Sequence, residues 1–218
     1  ARVHTDFPTK FGLPRQAGLA ALPAEIVFEP PFRDASCIRG IGGWSHLWLI
    51  WQFDRAVASG WAPTVAPPKL GGKERVGVFA TRSPFRPNFM GLSCVRLEQV
   101  EEHTPRGPVL HVSGADLADG TPILDIKPYL PYADSVPGAA DAFADKRRGG
   151  LLQVDFPAQW LEMIPEDKRA ALLQVLALDA RPGYQDDPAR RYGFPYAGFD
   201  VRFTVAEGRL TVVAVGRL

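Results

Sequence analysis

The sequence predicts a mainly β protein, with an N-terminal β-barrel followed by a small α+β C-terminal domain. Glycine and proline number 21 each in the 218 residues, and they recur at short intervals. This spacing favours short strands and turns over long helices. Segments rich in aromatic and β-branched residues separate the turns of the first 135 residues, and a closed barrel would remove their exposed strand edges.

The predicted barrel strands follow one another through the first part of the chain. The segment SHLWLIWQFD is the clearest strand, because it is rich in the aromatic and branched residues that buried strands prefer. Strands are predicted at residues 25–28, 46–53, 75–81, 92–100, 109–114 and 122–126.

The second part of the chain has a different pattern. Residues 135–150 are small, polar and end in glycine, so we interpret them as a linker or an excursion of the chain. The predicted domains are residues 1–135 and 136–218. Apolar residues then recur with helical spacing, which predicts one or two amphipathic helices broken at Pro165. The tail alternates between polar and apolar residues around Glu207-Gly208-Arg209, which predicts a β-hairpin.

Composition limits the classes of function. Hydrophobic residues make up 46% of the chain, but no apolar run is long enough to predict a membrane span, and the first residues do not resemble a secretory signal. Two cysteines fit a reducing, cytoplasmic compartment. A net charge of +1 excludes a protein-wide basic field, so any nucleic-acid binding must depend on a local patch. One candidate patch lies between Lys69 and Arg96, with the cations Lys69, Lys73, Arg75, Arg82, Arg86 and Arg96 against the single acid Glu74.

Two common ligand motifs are absent. Gly40 and Gly42 begin a possible dinucleotide-binding fingerprint, which requires a third glycine at position 45 and a helix after it. Position 45 is serine and a predicted strand follows, which argues against such a site. No phosphate-binding P-loop occurs, and the four histidines share no zinc-ligand spacing, so no metal is expected. His46 lies in an apolar strand and is expected to be a hydrogen-bonded structural histidine.

Three loop stretches carry more functional side chains than turns require. The first is GVFATRSPFRPNFMGLS, in which two prolines stiffen a loop that holds two arginines and two phenylalanines. The second, LADGTPILDIKPYLPYADS, combines acids, a lysine and two tyrosines with two prolines. The third, KFGLPRQAG, is a weaker signal because it offers only an arginine and a glutamine.

Together these stretches resemble the TsaA-like family, whose characterised members are the tRNA methyltransferase O enzymes. The resemblance also includes WSHLWLIWQFD, GWAPTVAPPKLGG, QVLALDARPGYQ and GFDVRF, and it runs from Phe7 almost to the end of the chain. It implies S-adenosylmethionine-dependent methyl transfer on a β-barrel and a homodimer with the cofactor near the subunit interface. It also implies a substrate, the N6-threonylcarbamoyl-adenosine just 3′ of the anticodon in tRNA, and a product methylated on the same N6.

The resemblance suggests a cofactor site built from the three stretches and the end of the strong strand. Arg15 and Arg82 suit the cofactor carboxylate, or a substrate phosphate, by bidentate contact. Backbone groups after Gly120 would read the adenine edge, and Met90 and Leu92 would form an apolar wall. The expected cofactor-binding residues are Arg15, Gln16, Ala17, Gln52, Phe53, Asp54, Arg82, Leu92, Gly120, Thr121, Pro122 and Ile123.

The proline-stiffened loop is expected to bind the anticodon stem-loop, because splayed RNA bases stack on aromatic rings and phosphates bind arginine. The expected substrate-binding residues are Phe85, Arg86, Asn88, Phe89, Lys127 and Tyr129. In the alternative interpretation, Phe85 and Phe89 close the barrel end. Asp119 and Asp125 are the candidate catalytic bases, with Tyr129, His46 or no protein base as the alternatives. A non-catalytic RNA-binding barrel and an S-adenosylmethionine-dependent enzyme acting on a small molecule are the rival functions.

Overall fold

The computed structural model describes residues 1–67, 74–140, 150–181 and 187–218. Its fold is mainly β, as predicted. The strands are β1 (Arg2–His4), β2 (Pro23–Val27), β3 (His46–Gln52), β4 (Thr64–Val65), β5 (Val76–Gly77), β6 (Met90–Glu101), β7 (Val109–Ser113), β8 (Ile123–Pro128), β9 (Gln153–Asp155), β10 (Tyr192–Tyr196), β11 (Phe199–Ala206) and β12 (Arg209–Arg217). The helices are α1 (Pro131–Asp134), α2 (Ala158–Leu161) and α3 (Glu166–Ala177).

A six-stranded antiparallel sheet in the order β1-β2-β7-β6-β3-β8 forms the N-terminal part. The sheet curls until its edges meet, because Arg2 in β1 forms a bridge with Pro122 at the start of β8. Hydrogen bonds from the Val3 amide to the Thr121 carbonyl (3.1 Å) and from the Gly120 amide to the Val3 carbonyl (2.9 Å) reinforce this junction. The predicted mainly β fold is therefore confirmed, with a barrel-like curled sheet whose edges meet between β1 and the residues just before β8.

Strand β3 shows how the sequence determines the two faces of the barrel wall. Leu47, Leu49 and Trp51 are buried inside, whereas the residues between them are half-buried on the outside. Such alternation is what a strand with period two requires. The inner residues pack with Ile26 and Val112 from neighbouring strands in one apolar core.

The strand predicted at residues 75–81 is wrong in most of its length. Only Val76–Gly77 is extended, paired with Thr64–Val65, and Val78–Ala80 forms a 3-10 turn. The turn is closed by Thr81, whose hydroxyl donates to the Val78 carbonyl at 2.9 Å. Val78 is buried but the Phe79 ring is 75% exposed, so the two β-forming residues do not continue a strand.

The C-terminal part is a four-stranded sheet in the order β10-β11-β12-β9, packed against α3. The predicted hairpin is confirmed: Glu207 and Gly208 connect β11 to β12, and both have positive φ, as tight hairpins require. The predicted helical break is also confirmed, because Pro165 caps α3 directly after α2. The α3 residues Leu172, Val175 and Leu176 bury one helix face in this core.

Residues 5–22 leave the barrel and join the C-terminal core. Phe7, Ala20 and Leu22 are buried in the same apolar cluster as β10, β11 and α3. The Lys168 ammonium lies 2.7 Å from a carboxylate oxygen of Asp6 and adds a partly buried ion pair to this junction. The division at residue 135 therefore stays a prediction, because the first residues contribute to both cores. Part of the predicted linker, residues 141–149, lies outside the described residues. Among the described residues, no helix is long and apolar enough to cross a membrane.

Candidate cofactor and RNA site at the barrel end

Three of the predicted stretches meet where β3 ends. The Phe53 amide donates to the Phe89 carbonyl at 2.7 Å, and the Gln52 amide donates to the Pro122 carbonyl at 3.0 Å. The arginine-rich loop and the segment after Gly120 therefore lie on either side of β3. Arg55, in the 3-10 helix that follows, donates to the Asp119 carbonyl at 3.2 Å and holds this arrangement together.

Trp51 fills the inside of the barrel at this end. Its ring lies 4.2 Å from the Phe53 ring, centroid to centroid. A Cβ at Gly91 would lie 2.3 Å from the Trp51 ring, so only glycine allows β6 to approach it. The Trp51 indole donates to the Ser93 hydroxyl at 3.0 Å, which is a buried hydrogen bond.

The buried hydrogen bonds continue to Asp116. The Ser93 hydroxyl donates to the Asp116 carboxylate at 2.6 Å. Burial raises the pKa of Asp116, while the bond from Ser93 and the charge of Arg82 act in the opposite direction. Asp116 is therefore a partly buried carboxylate beside the predicted cofactor residues Ala17 and Arg82.

The loop that carries Arg15, Gln16 and Ala17 is fixed on both sides. Arg82 donates to the Gln16 side-chain oxygen, and Gly18 donates to the Gly114 carbonyl at 2.9 Å. Arg15 points towards the C-terminal part, where it donates to the Asp179 carbonyl (3.0 Å) and the Arg181 carbonyl (2.8 Å). Burial lowers the pKa of Arg15, and the nearby Asp179 carboxylate raises it.

The stretch Gly120–Ile123 holds the barrel closed with its own backbone. The amides of Gly120, Thr121 and Ile123 donate to Val3, Ala118 and Ala1, and Pro122 has no amide hydrogen. The carbonyls of this stretch also accept one hydrogen bond each, from Arg2, Val3, Gln52 and the Ala1 terminus. Each carbonyl oxygen keeps a second lone pair, so contact between this backbone and the adenine edge stays a prediction. A Cβ on Gly120 would meet open space, so a ligand can approach the chain closely there.

The predicted RNA-binding loop is braced by one of its own arginines. One Nη atom of Arg86 donates to the carbonyls of Val78 (3.2 Å) and Thr81 (2.7 Å). The Arg86 guanidinium also lies 5.7 Å from the centre of the exposed Phe79 ring. Phe89 has a positive φ of 49°, which is uncommon for a side chain of this size and marks a sharp bend before β6. Phe85 and Asn88 are exposed.

The two candidate bases, Asp119 and Asp125, lie at the surface. Asp119 accepts a hydrogen bond from the Thr5 amide at 3.1 Å and lies 3.3 Å from His4. Asp125 pairs with Lys127 at 3.2 Å on the outside of the barrel, opposite Ile50.

The alternatives to these bases lie in an aromatic group. The Tyr129 ring packs against the rings of His46 and Trp48, at 6.1 and 5.8 Å between centroids. His46 also contacts the Ser45 hydroxyl at 3.0 Å.

Three strands expose an apolar area on the outside of the barrel, which we term the outer face. It comprises Ile50, Met90, Leu92 and Leu124, of which Leu92 and Leu124 are 55% and 54% exposed. Leu124 is accommodated by an irregularity between β3 and β8 and therefore projects beside Asp125. Leu92 and Gln52 belong to this side of the wall, whereas Trp51 and Ser93 face inwards. Of the predicted cofactor residues, Leu92 and Gln52 thus lie on the outside of this barrel end, whereas Ile123 and Phe53 pack against the inner core.

Comparison with known proteins identifies the family. The model of the tRNA-methyltransferase O N-terminal domain matches residues 2–135, and the model of the TrmO C-terminal domain matches residues 151–218. The chain belongs to the tRNA methyltransferase O family.

Individual relatives support the same assignment. The tRNA (adenine(37)-N6)-methyltransferase of Escherichia coli (strain K12) is 38% identical over 222 residues, covering 98% of this chain and 94% of the relative. The protein of the same name from Eikenella corrodens is 43% identical and covers 78% of this chain and 96% of the relative. A Pseudomonas aeruginosa relative, 40% identical over 92% of this chain and 88% of its own, carries the words "S-adenosylmethionine-dependent methyltransferase RcsF" in its name. The crystal structure of TrmO from that organism superposes with a TM-score of 0.79 and 36% identity, covering all of this chain and 94% of that one.

The family assignment confirms the resemblance drawn from the sequence motifs. The sequence did not indicate that Trp51, Ser93 and Asp116 form a chain of hydrogen bonds at this barrel end. Asp116 lies only three residues before Asp119, in the stretch that the sequence singled out, but nothing in the spacing showed that it turns inwards. Lys69 and Lys73 of the predicted basic patch lie outside the described residues. Among the residues described, no group of three His, Cys, Asp or Glu side chains could hold a metal ion.

Proposed function

We propose that this chain is an S-adenosylmethionine-dependent tRNA methyltransferase. Its substrate in this proposal is the threonylcarbamoyl-adenosine just 3′ of the anticodon, and the methyl group is added to N6. The observation that carries the proposal is the convergence of three separate sequence stretches around the end of β3, in a family whose relatives are named for this reaction.

The residues at the barrel end fit the chemical groups of S-adenosylmethionine. Arg82 suits the carboxylate, and the open space beside Gly120 suits a close approach of the adenine. The rings of Phe53 and Trp51 and the side chain of Leu92 supply apolar surface. When bound, the cofactor supplies an electrophilic methyl group on a sulfonium.

The protein's main contribution to the rate is position, since methyl transfer at carbon needs the two reacting atoms in line. A ureido N–H is acidic enough that a carboxylate or a chain of waters suffices to take its proton. Asp119 and Asp125 stay our candidates for that role, with Tyr129 and His46 as alternatives.

The proposal also includes an RNA-binding loop and a homodimer. Phe85, Phe89 and Asn88 would hold the anticodon loop, with Arg86 on a phosphate and Lys127 and Tyr129 at the edge of the site. Phe79, which the sequence placed in a strand, adds an exposed ring to the same loop. The apolar outer face would be covered by a second copy of the chain, which brings Leu92 and Gln52 into the subunit interface. The reaction would take place in the cytoplasm.

The test measures cofactor binding and methyl transfer on the same samples. Isothermal titration should show that the wild-type protein binds S-adenosylmethionine, and a radiolabelled methyl group should pass to tRNA that carries threonylcarbamoyl-adenosine. Arg82→Ala should weaken cofactor binding by about 1–3 kcal/mol, the range for a lost charge-assisted hydrogen bond. Arg202→Ala, which removes an exposed arginine of the C-terminal sheet, is the matched control.

The outcomes separate the three functions. A wild-type protein that binds tRNA but not S-adenosylmethionine would favour the non-catalytic RNA-binding barrel. Cofactor binding without methyl transfer to tRNA, and without competition by tRNA, would favour a small-molecule substrate. Equal cofactor affinity for Arg82→Ala and wild type would remove Arg82 from the site.

A further inference from the structure

Asp116 connects three parts of the barrel end that lie far apart in sequence. Its carboxylate accepts a hydrogen bond from the Ser93 hydroxyl of β6 at 2.6 Å. The Ala17 loop lies beside the same segment, because the Gly18 amide donates to the Gly114 carbonyl at 2.9 Å. Ser93 is in turn held by the Trp51 indole of β3. Its neighbour Ala17 therefore has a fixed position relative to the barrel wall.

The same carboxylate is electrostatically linked to Arg82. The positive charge of Arg82 favours the ionised form of Asp116. Arg82 also donates to Gln16, the residue next to Ala17. The segment that carries Asp116 is thus bonded to the Ala17 loop through Gly114 and Gly18, and Arg82 bonds to the same loop through Gln16.

We propose that Asp116 is a positioning residue for the cofactor site. Its ionised carboxylate holds Ala17 and Arg82 in the arrangement that binds S-adenosylmethionine, acting through these two residues. This inference rests on the proposed function, because it takes the surroundings of Arg82 as the cofactor site.

The melting temperature of an Asp116 variant distinguishes a positioning role from a merely structural one, because loss of a structural carboxylate should lower it. Burial raises the pKa of Asp116 above its ordinary value, so ionisation is harder in the folded protein than in the unfolded chain. An acid of this kind reduces the stability of the folded state as pH rises through its unfolded pKa. Replacing it with asparagine, which keeps the shape and can still accept a hydrogen bond from Ser93, should leave the melting temperature unchanged or raise it.

The experiment compares Asp116→Asn with wild type and with a control variant, Asp200→Asn. The control removes a carboxylate that pairs with Arg202 in the C-terminal sheet. Thermal melting and isothermal titration with S-adenosylmethionine are measured on the full-length protein. We expect Asp116→Asn to melt no lower than wild type and to bind the cofactor roughly tenfold more weakly, the loss typical of a charge-assisted contact. Asp200→Asn should bind the cofactor as wild type does.

The pH profile gives a second readout. Wild-type cofactor affinity should fall as the pH is lowered through the pKa of Asp116, which burial raises above its ordinary value, because protonated Asp116 no longer attracts Arg82. The fall should be absent in Asp116→Asn. The inference would be overturned if Asp116→Asn bound the cofactor as tightly as wild type. It would also be overturned if Asp116→Asn melted lower and bound more weakly but kept the wild-type pH profile. Failure of the wild-type protein to bind S-adenosylmethionine would instead overturn the proposed function.

Discussion

Arg82 and Arg86 lie four residues apart on the same loop but have different surroundings. Arg82 is exposed and bonds to Gln16 across the loop, whereas Arg86 turns back to the carbonyls of its own turn. The residue types and the stiffness of the loop could be predicted from the sequence, because prolines restrict the chain wherever they occur. The partners could not be predicted, since Gln16 comes from a loop 66 residues earlier and the Val78 and Thr81 carbonyls belong to a turn where the sequence predicted a strand.

Arg86 has two effects in this proposal: it binds an RNA phosphate, and its hydrogen bonds stabilise its own loop. Arg86→Ala should weaken tRNA binding and reduce the slope of log affinity against log salt by about one phosphate contact. S-adenosylmethionine affinity should stay near that of wild type. The measurements are tRNA affinity at several salt concentrations and cofactor affinity by calorimetry.

Arg86→Lys is the matched control for this prediction. Lysine keeps the charge that attracts a phosphate but lacks the planar guanidinium that donates to the Val78 and Thr81 carbonyls and lies over the Phe79 ring. If Arg86 binds phosphate, the lysine variant should recover most of the affinity and the full salt slope. A lysine variant as weak as the alanine variant would show that the residue acts only by bracing the loop, and a loss of cofactor binding alone would reverse the roles given to Arg82 and Arg86.

At the scale of elements, strands with clear alternation could be predicted and irregular segments could not. Strand β3 and the tail hairpin follow directly from their patterns, because one buried face determines the register. Residues 75–81 contain β-forming side chains, yet the chain turns at Val78–Ala80 to bring Arg82 to the barrel end. Local propensity gave no indication of this turn, since it is stabilised by contacts with Pro63 and Arg86 from other parts of the chain.

The outer face leads to a prediction about assembly. The face is apolar and exposed, and Leu124 projects from it at the irregularity between β3 and β8. Leu124→Glu would introduce a charge into the proposed interface and should convert a dimer into a monomer in sedimentation velocity at micromolar concentration. Met163→Glu, at an exposed apolar position beyond α2, is the control and should leave the dimer intact. A wild-type monomer with full methyl transfer would contradict the proposed dimer.

At the scale of the whole molecule, the predicted site depends on a core that belongs to the other half of the chain. Phe7 packs against Phe194 and Tyr196, at 6.0 and 5.0 Å between ring centres, although it lies between a barrel strand and the Arg15–Ala17 loop. Arg15 continues the connection through the carbonyls of Asp179 and Arg181. The sequence showed two domains but not this shared segment, because residues 5–22 have neither strand nor helix periodicity.

A conservative change at this junction should therefore affect the distant cofactor site. Phe7→Leu and Phe203→Leu both reduce a fully buried aromatic side chain of the C-terminal core, and each should cost about 1–3 kcal/mol of stability. Phe7 is continuous with the Arg15–Ala17 loop, whereas Phe203 lies in β11 and contacts Tyr192 and Phe194. Well below both melting temperatures, S-adenosylmethionine affinity by calorimetry should fall for Phe7→Leu and stay near wild type for Phe203→Leu. Equal affinities in the two variants would show that the loop keeps its position without support from the C-terminal core, and a loss in both would mean that general stability, not this connection, controls the site.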